Sequence, residues 1–181
     1  MSVPKSQVLA ELGFARTFDQ VGIVVSNLNQ ALEAYTDGLG IQPWVGWMYD
    51  EHLLVRRSFR GAEGRYTMRL AVHGAKPQVE LLEPIDGPSI FHEFLEARGP
   101  GLHHIAYFVP SFSAAEARLS RLGFPLVQTG GGHGVAGDGA FGYFDASAAL
   151  GLYIECIEPP QARRPPHFVY PEPQDTKFSN A

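Results

Sequence analysis

Two stretches of the chain share one alternation of apolar and polar positions. Residues 20–25 read QVGIVV and residues 104–109 read HIAYFV, and each is followed by a helical pattern that closes on Leu-Gly and an apolar residue. Further on, VELLEP at 79–84 is echoed by IECIEP at 154–159. Self-similarity at a fixed spacing indicates a duplicated supersecondary unit.

The same patterns predict the elements of each unit, because strands alternate with period two and helices repeat apolar positions three and four apart. In the first unit we expect a strand at 18–25, a helix that begins after Ser26 or Asn27, and strands at 44–49, 66–72 and 78–82. The segment 50–64 is ambiguous. In the second unit we expect a strand at 102–109, a helix at 113–122, and strands at 125–128, 141–145 and 151–157. The sequence therefore predicts an α+β fold of two tandem βαβββ modules.

These elements imply five segments. The segments are an accessory helix within residues 1–17 (Pro4–Phe14), a first module at 18–84, a connector with a helix at 85–101, a second module at 102–159 and a Pro-rich tail at 160–181. Proline lacks the amide hydrogen that regular structure needs. We therefore expect the tail to have no regular structure and to wrap the surface or a partner subunit.

Composition narrows the class of protein. With 181 residues, 45% hydrophobic and 18% charged, the chain is typical of a soluble globular protein. Its formal charge of −5 argues against a nucleic-acid partner. The basic cluster of Arg56, Arg57 and Arg60 is either a solvated loop or a clamp for an anionic substrate group. No apolar run approaches the roughly 18 residues of a membrane span, and no signal-peptide pattern is present, so we expect a cytoplasmic protein without a membrane partner.

Four polar residues occupy matched positions of the two units. Gln20 and His104 begin the first strands, and Glu80 and Glu155 lie in the last strands, each flanked by apolar residues. A carboxylate in such a strand is costly to bury unless it is paired or binds a cation. Two carboxylates, one imidazole and one amide oxygen suit a single divalent ion such as Zn, Ni, Co, Mn or Mg.

Each of these residues alone is more typical of an exposed or core position than of a ligand, and the acids could be the solvated half of an alternating strand. Their joint placement favours the metal site. His103 serves as a control, because strand alternation predicts that it faces away from His104. On that basis we expect His103→Ala to leave the metal in place.

At these residues the chain resembles the vicinal oxygen chelate superfamily of glyoxalase, bleomycin-resistance and dioxygenase proteins, over roughly Phe18–Pro159. VELLEP, SIFHEFL at 89–95 and GLHHIA at 101–106 look most like the methylmalonyl-CoA epimerase branch. The resemblance implies that the two modules form a cup-shaped sheet pair around one divalent metal. It also implies Gln20, Glu80, His104 and Glu155 as ligands, and a homodimer.

Two departures separate the chain from that branch. Epimerases of this branch usually open with His where this chain has Gln20, and Gln at that place is familiar from glyoxalase I. Some epimerases also carry an acidic proton-transfer residue on the third strand of the first module, whereas residues 66–70 offer no acid. The pair of tryptophans and the Gly-rich run at 130–134 indicate a pocket with its own substrate.

The sequence and the resemblance together indicate a metal-dependent isomerase or epimerase, or a lyase. Such an enzyme would chelate a carbonyl-bearing small molecule, such as an acyl thioester, and stabilise an enolate. Glu155 first, and Glu80 second, is the expected catalytic base. The alternatives are a glyoxalase I-like lyase and a metal-free drug-sequestering protein. An extradiol dioxygenase is disfavoured because only one His occupies the four positions. The expected substrate-binding residues are Trp44, Trp47, Tyr66, Met68 and Phe141.

Overall fold

A computed structural model describes residues 17–173. The helices are α1 (Leu28–Leu39), α2 (Ile90–Arg98), α3 (Phe112–Arg121) and α4 (Ser147–Leu150). The strands are β1 (Gln20–Val24), β2 (Trp44–Tyr49), β3 (Arg56–Phe59), β4 (Ala62–Glu63), β5 (Thr67–His73), β6 (Gln78–Asp86), β7 (Gly101–Phe108), β8 (Leu126–Gly131), β9 (Ala140–Asp145), β10 (Tyr153–Glu158) and β11 (Phe168–Tyr170). The accessory helix predicted at Pro4–Phe14 lies outside the described residues.

The repeated units have the same internal pairing. In each, the first strand pairs in parallel with the last, β1 with β6 and β7 with β10, while the remaining neighbours are antiparallel. An antiparallel pairing of β1 with β7 joins the two units. The predicted α+β fold class is confirmed. The expected pair of sheets is, however, continuous, in the order β11-β2-β5-β6-β1-β7-β10-β9-β8-β3-β4.

Helix boundaries follow local chemistry. Asn27, Ser89 and Ser111 each accept a hydrogen bond from a backbone amide in the first turn of α1, α2 and α3. Gly40 ends α1 in the left-handed conformation at φ 69°. None of the helices in residues 17–173 is long and apolar enough to cross a membrane.

The ambiguous segment 50–64 contains the hairpin of β3 and β4. Although β3 follows β2 in sequence, it pairs with β8 of the second unit. The six residues between Tyr49 and Arg56 thus carry the chain from one end of the sheet to the other. Because an extended residue spans at most about 3.6 Å, these two ends lie close together, and the sheet is curled into a cup.

The expectation that the Pro-rich tail has no regular structure was wrong at one point. Residues 168–170 lack proline, and they form β11, which pairs antiparallel with β2. The Phe168 ring lies over Gly46, where an added Cβ would overlap it. Because Gly46 has no side chain, the Phe168 ring of the tail can pack directly on β2.

Alternation divides the apolar residues between the inside of the cup and the helix-covered outside. Val24 and Ala106 belong to the largest core cluster, with Met68 and Phe141, inside the cup. Ile23 and Val25 pack instead with α1 residues, and Val109 packs with α3 residues. Gln20 lies on the same strand face as Val24, and His104 on the same face as Ala106, so both polar side chains are directed into the cup.

Candidate metal centre

The four matched polar residues come from four neighbouring strands at the middle of the sheet. Glu80 (β6), Gln20 (β1), His104 (β7) and Glu155 (β10) follow the spatial order of those strands. Gly22 pairs with both Glu80 and His104, and Ala106 pairs with both Gln20 and Glu155.

Small residues therefore alternate with the polar ones across these strands. An added Cβ at Gly22 would overlap the His104 imidazole. The space beside Gly22 is thus filled by the His104 ring.

Three of the predicted ligands converge on one point. Nε2 of His104 lies 3.2 Å from Oε2 of Glu80 and 3.1 Å from Oε2 of Glu155. The ligand atoms of these three residues all lie within 4.8 Å of one another. Neighbouring ligands at about 2.1 Å from one ion lie about 3 Å apart, so this spacing fits a divalent cation.

The polar atoms at this point are buried and lack good hydrogen bonds. Gln20, Glu80, His104 and Glu155 are 2%, 6%, 0% and 3% exposed. Oε1 of Gln20, Nε2 of His104 and one oxygen of each Glu have no hydrogen-bond partner of acceptable geometry among the described residues. Unsatisfied buried polar atoms are costly, and a shared cation would satisfy all four.

Burial and charge set the protonation of the cluster. Burial by itself lowers the pKa of His104, but the carboxylates of Glu155 and Glu80 outweigh it and raise the pKa to about 9. Burial raises the pKa of Glu80, and the nearby His104 imidazole opposes this only in part. Positive charge is therefore favoured between these carboxylates, and a divalent cation bound to a neutral imidazole would supply it.

His103 does not face away from the site, contrary to the alternation argument. In the pairing of β1 with β7 the register shifts so that Gly22 pairs with His104 and Ile23 with Leu102, which leaves His103 as the extra residue of a β-bulge. Its Nδ1 lies 3.0 Å from Nδ1 of His104, and its side chain is fully buried. The bulge brings both imidazoles into contact.

This contact couples the tautomers of the two imidazoles. If Nε2 of His104 binds a metal, Nδ1 carries the hydrogen and donates it to Nδ1 of His103. Burial lowers the pKa of His103 well below its ordinary value, while the backbone carbonyl of Ile90 favours a hydrogen on this ring. His103 is thus a neutral acceptor, the outer partner that a metal-binding His commonly has.

We expect His103→Phe to weaken metal binding about 10- to 100-fold, because Phe keeps the ring packing but cannot accept the hydrogen of His104. His103→Asn, whose side-chain oxygen can accept, should lose less. Isothermal titration of each purified variant with Zn²⁺ measures the difference. If His103→Phe binds Zn²⁺ as tightly as the wild type, His103 does not contribute to metal binding.

Four of the five expected substrate-binding residues lie inside the cup. Met68 and Phe141 line the cavity beside the ligand cluster. Trp47 and Tyr66 lie in the same core cluster inside the cup. Their role in substrate binding stays a prediction.

Trp44 does not lie in the cup. It packs with Leu28 and Leu32 of α1 on the outer face, and its Nε1 donates to Thr36 at 3.2 Å. The reason is alternation, since positions 44 and 47 of one strand face opposite ways.

Three aromatic or charged residues of the cavity were not expected from the sequence: Tyr49, Tyr143 and Arg163. His133, which also lines it, belongs to the Gly-rich run at 130–134 that the sequence linked to a pocket. Tyr143 is buried, and its hydroxyl acts as a hydrogen-bond donor to Glu155, while burial raises its pKa well above the ordinary value. The periodicity of β9 could have placed Tyr143 on the same face as Phe141. Arg163 reaches the cavity from the tail, where no periodic pattern pointed to it.

Two arginines of the basic cluster at residues 56–60 have partners within the protein, which argues against an anion clamp formed by all three. Arg60 pairs with Glu93 at 2.7 Å, and Arg57 donates to the backbone oxygen of Tyr66. The solvated-loop interpretation also needs revision, because Arg56 and Arg57 belong to strand β3, and Arg57 and Arg60 hold neighbouring segments together.

Comparison with known proteins identifies the family. A model of the glyoxalase/bleomycin resistance protein/dioxygenase superfamily matches residues 19–143. The chain belongs to this superfamily. Among curated proteins it is similar to the uncharacterized protein YqjC of Bacillus subtilis, with 26% identity over 141 residues, 78% of this chain and 91% of that protein.

Solved structures place the chain near methylmalonyl-CoA epimerases. The enzyme from Mycobacterium tuberculosis is 29% identical, with a TM-score of 0.53 over 80% of this chain and 91% of that chain. A variant of the Streptomyces coelicolor epimerase in complex with 2-nitronate-propionyl-CoA is 20% identical, with a TM-score of 0.57 over 82% and 98%. The second likeness shows the fold alone. The expected resemblance to the epimerase-like branch of the superfamily is confirmed.

Proposed function

We propose that this protein is a divalent-metal-dependent isomerase or epimerase that acts on a small carbonyl compound such as an acyl thioester. The observation that carries the proposal is the convergence of Glu80, His104 and Glu155, buried and within 4.8 Å, at the centre of the cup. Membership of the superfamily and the likeness to the M. tuberculosis epimerase support it. We also propose that the protein assembles as a homodimer, as the superfamily resemblance implies.

The four residues divide the work at the site. Gln20, Glu80, His104 and Glu155 would hold the metal, which when bound would supply a Lewis acid that polarises a carbonyl group. Two carboxylates balance the charge of a divalent ion. The apolar walls formed by Met68, Phe141 and their neighbours exclude water from the reacting carbon, which strengthens each electrostatic contact.

Glu155 is the proposed base that removes the proton next to the carbonyl. Its carboxylate lies in the cavity and accepts from the Tyr143 hydroxyl, which keeps its own proton because its pKa is raised by burial. Tyr143 can thereby orient the Glu155 side chain. Glu80 lines the same cavity and is the second candidate.

The proposal predicts metal-dependent exchange of the hydrogen next to the carbonyl. Metal-loaded protein incubated with methylmalonyl-CoA in deuterium oxide should wash deuterium into that position. Glu155→Gln should slow the exchange by about 100-fold or more, the usual size of a general-base contribution, while its Zn²⁺ content shows whether metal is still bound. Exchange is followed by mass spectrometry. Unchanged exchange in a metal-loaded Glu155→Gln variant would exclude Glu155 as the base.

A glyoxalase I-like lyase is the second candidate function. It is favoured by Gln20, whose unpartnered Oε1 lines the cavity where epimerases of the resembling branch carry His. Such a lyase would act on a glutathione adduct of a 2-oxoaldehyde, so activity on that adduct without exchange on acyl thioesters would select it. A metal-free sequestering protein is disfavoured, because two buried carboxylates would then be carried at a cost.

A further inference from the structure

The open side of the cup is crossed by the segment 159–170, called here the C-terminal strap. It is tied to the loop after β8, where the Val135 amide donates to the Ala162 oxygen at 2.9 Å. It is also tied to the opposite end of the sheet, where Trp47 Nε1 donates to the Arg164 oxygen at 3.1 Å and β11 pairs with β2. The strap therefore has a defined position over the ligand cluster.

Between these two attachments the strap places Arg163 at the cavity. The guanidinium carbon lies 5.5 Å from the centre of the Trp47 ring, and Arg163 lines the same cavity as Glu80 and Glu155. Burial raises the pKa of Glu80, and the charge of Arg163 opposes this rise; burial lowers the pKa of His133, and the charge of Arg163 adds to this fall. Across residues 17–173 its side chain has neither an ion pair nor a hydrogen bond, although most other arginines in that range have one or the other. Arg163 is also exposed, so a ligand can reach it.

His133 supplies a second unsatisfied group on this side of the cavity. It is 5% exposed, and its Nδ1 is buried without a hydrogen-bond partner in the part of the chain that the structure describes. Its ring stacks with Tyr49 at 5.9 Å between centroids, which holds it in place. Burial and the charge of Arg163 lower its pKa to about 4, so the imidazole is neutral near pH 7.

The charge of the loaded site shows what is missing. Glu80 and Glu155 together balance one divalent cation, and Gln20 and a neutral His104 add no charge. Arg163 then remains as a positive charge without an ion-pair partner among the described residues, near the buried Nδ1 of His133. The Asp138 carboxylate, whose charge also acts on His133, accepts a hydrogen bond from the Gln161 amide. A planar guanidinium pairs best with a carboxylate, which it can hold through two parallel hydrogen bonds.

On the basis of the proposed function, we infer that Arg163 and His133 form an anion subsite, which binds a carboxylate of the substrate while the metal holds its carbonyl end. The substrate is therefore a carbonyl compound that also carries a carboxylate. The cavity measures about 30 Å³. Because drug-sized ligands need roughly 300–1,000 Å³, only the reacting end and its carboxylate enter it. The strap, which contributes Arg163, thus determines substrate choice.

Two hydroxamates that differ by one carboxylate test the subsite. Acetohydroxamate presents two neighbouring oxygens to a metal, and succinyl monohydroxamate adds a terminal carboxylate. Titration calorimetry with Zn²⁺-loaded full-length protein should show tighter binding of the succinyl compound, by about 10-fold, the size of one charge-assisted hydrogen bond. Arg163→Ala should abolish this preference, because it weakens binding of the succinyl compound more than binding of acetohydroxamate. Arg163→Lys should restore part of it, and His133→Phe, which keeps the ring stacking, should reduce it.

The matched control is Arg121→Ala, which removes the same charge from an exposed position on α3 and should keep the full preference. A preference that survives in Arg163→Ala, or its absence in the wild type, would overturn the subsite and leave metal chelation standing. Failure of both hydroxamates to bind Zn²⁺-loaded protein would overturn chelation as well, and with it the proposed function.

Discussion

Replacing His104, Glu80 or Glu155 with Ala should remove the bound metal and the enzymatic activity together. Each residue offers one of three ligand atoms that lie within 4.8 Å of one another, and each loss leaves the other buried groups without compensation. We expect metal affinity to fall by more than about 100-fold, beyond the usual effect of losing an outer partner of a ligand. Plasma mass spectrometry measures the metal content of each variant purified without chelators. Zn²⁺ titration measures the loss of affinity.

Glu83→Ala and Glu158→Ala are matched controls on the same two strands. Glu83 pairs with Arg69 at 3.3 Å, and Glu158 accepts from the Phe112 amide at 2.7 Å, so neither belongs to the ligand cluster. Both variants should retain a full complement of metal. Retention of metal at full occupancy by the double variant Glu80→Ala/Glu155→Ala would rule out the assigned site.

Adding the correct divalent ion to chelator-treated protein should raise its melting temperature markedly. At a free metal concentration 1,000 times the dissociation constant, binding stabilises the folded state by about 4 kcal/mol. For a chain of this length each kcal/mol corresponds to roughly 2–4 °C, so we expect a rise of about 8–16 °C. The rise reflects the burial of two carboxylates and one imidazole that only the folded chain brings together. Differential scanning calorimetry with Zn²⁺, Ni²⁺, Co²⁺, Mn²⁺ and Mg²⁺ in turn also identifies the preferred ion.

His104→Ala provides the reference for this experiment. Because one ligand atom is missing, adding the same ion should change the melting temperature of His104→Ala by no more than about 2 °C. In the wild type, a chelator should reverse the shift that the ion causes. Equal melting temperatures for the wild type with and without all five ions would contradict a specific metal site. A shift of the same size in wild type and His104→Ala would indicate that the ion binds elsewhere.

The sequence was most informative where a pattern recurs. Period-two alternation in residues 20–25 and 104–109, with the echo of VELLEP at 154–159, predicted the α+β fold class and the inward faces of the strands. It also singled out the four polar residues that lie on adjacent central strands. Such patterns are readable because strand side chains alternate between faces regardless of what packs against them.

The sequence misled wherever a local irregularity or a distant segment decided the outcome. Trp44 was assigned to the cup, although it lies three positions before Trp47 on the same strand. Its side chain therefore faces the opposite way and packs against α1. His103 was set aside as a control because alternation cannot reveal a β-bulge, which depends on how β1 and β7 pair. The strand at 168–170 was missed because proline dominates the composition around it.

By itself, then, the sequence determined the duplicated units, the superfamily and the identity of the polar residues that point into the cup. Only the tertiary structure decided that the two sheets are one, that His103 contacts His104, and that Arg163 and His133 line the same cavity as Glu80 and Glu155. The physical reason is the separation along the chain of the residues that interact. Alternation and capping act between residues a few positions apart. Contacts between groups far apart in the chain set the strand register, the bulge and the pairing of the strap with β2.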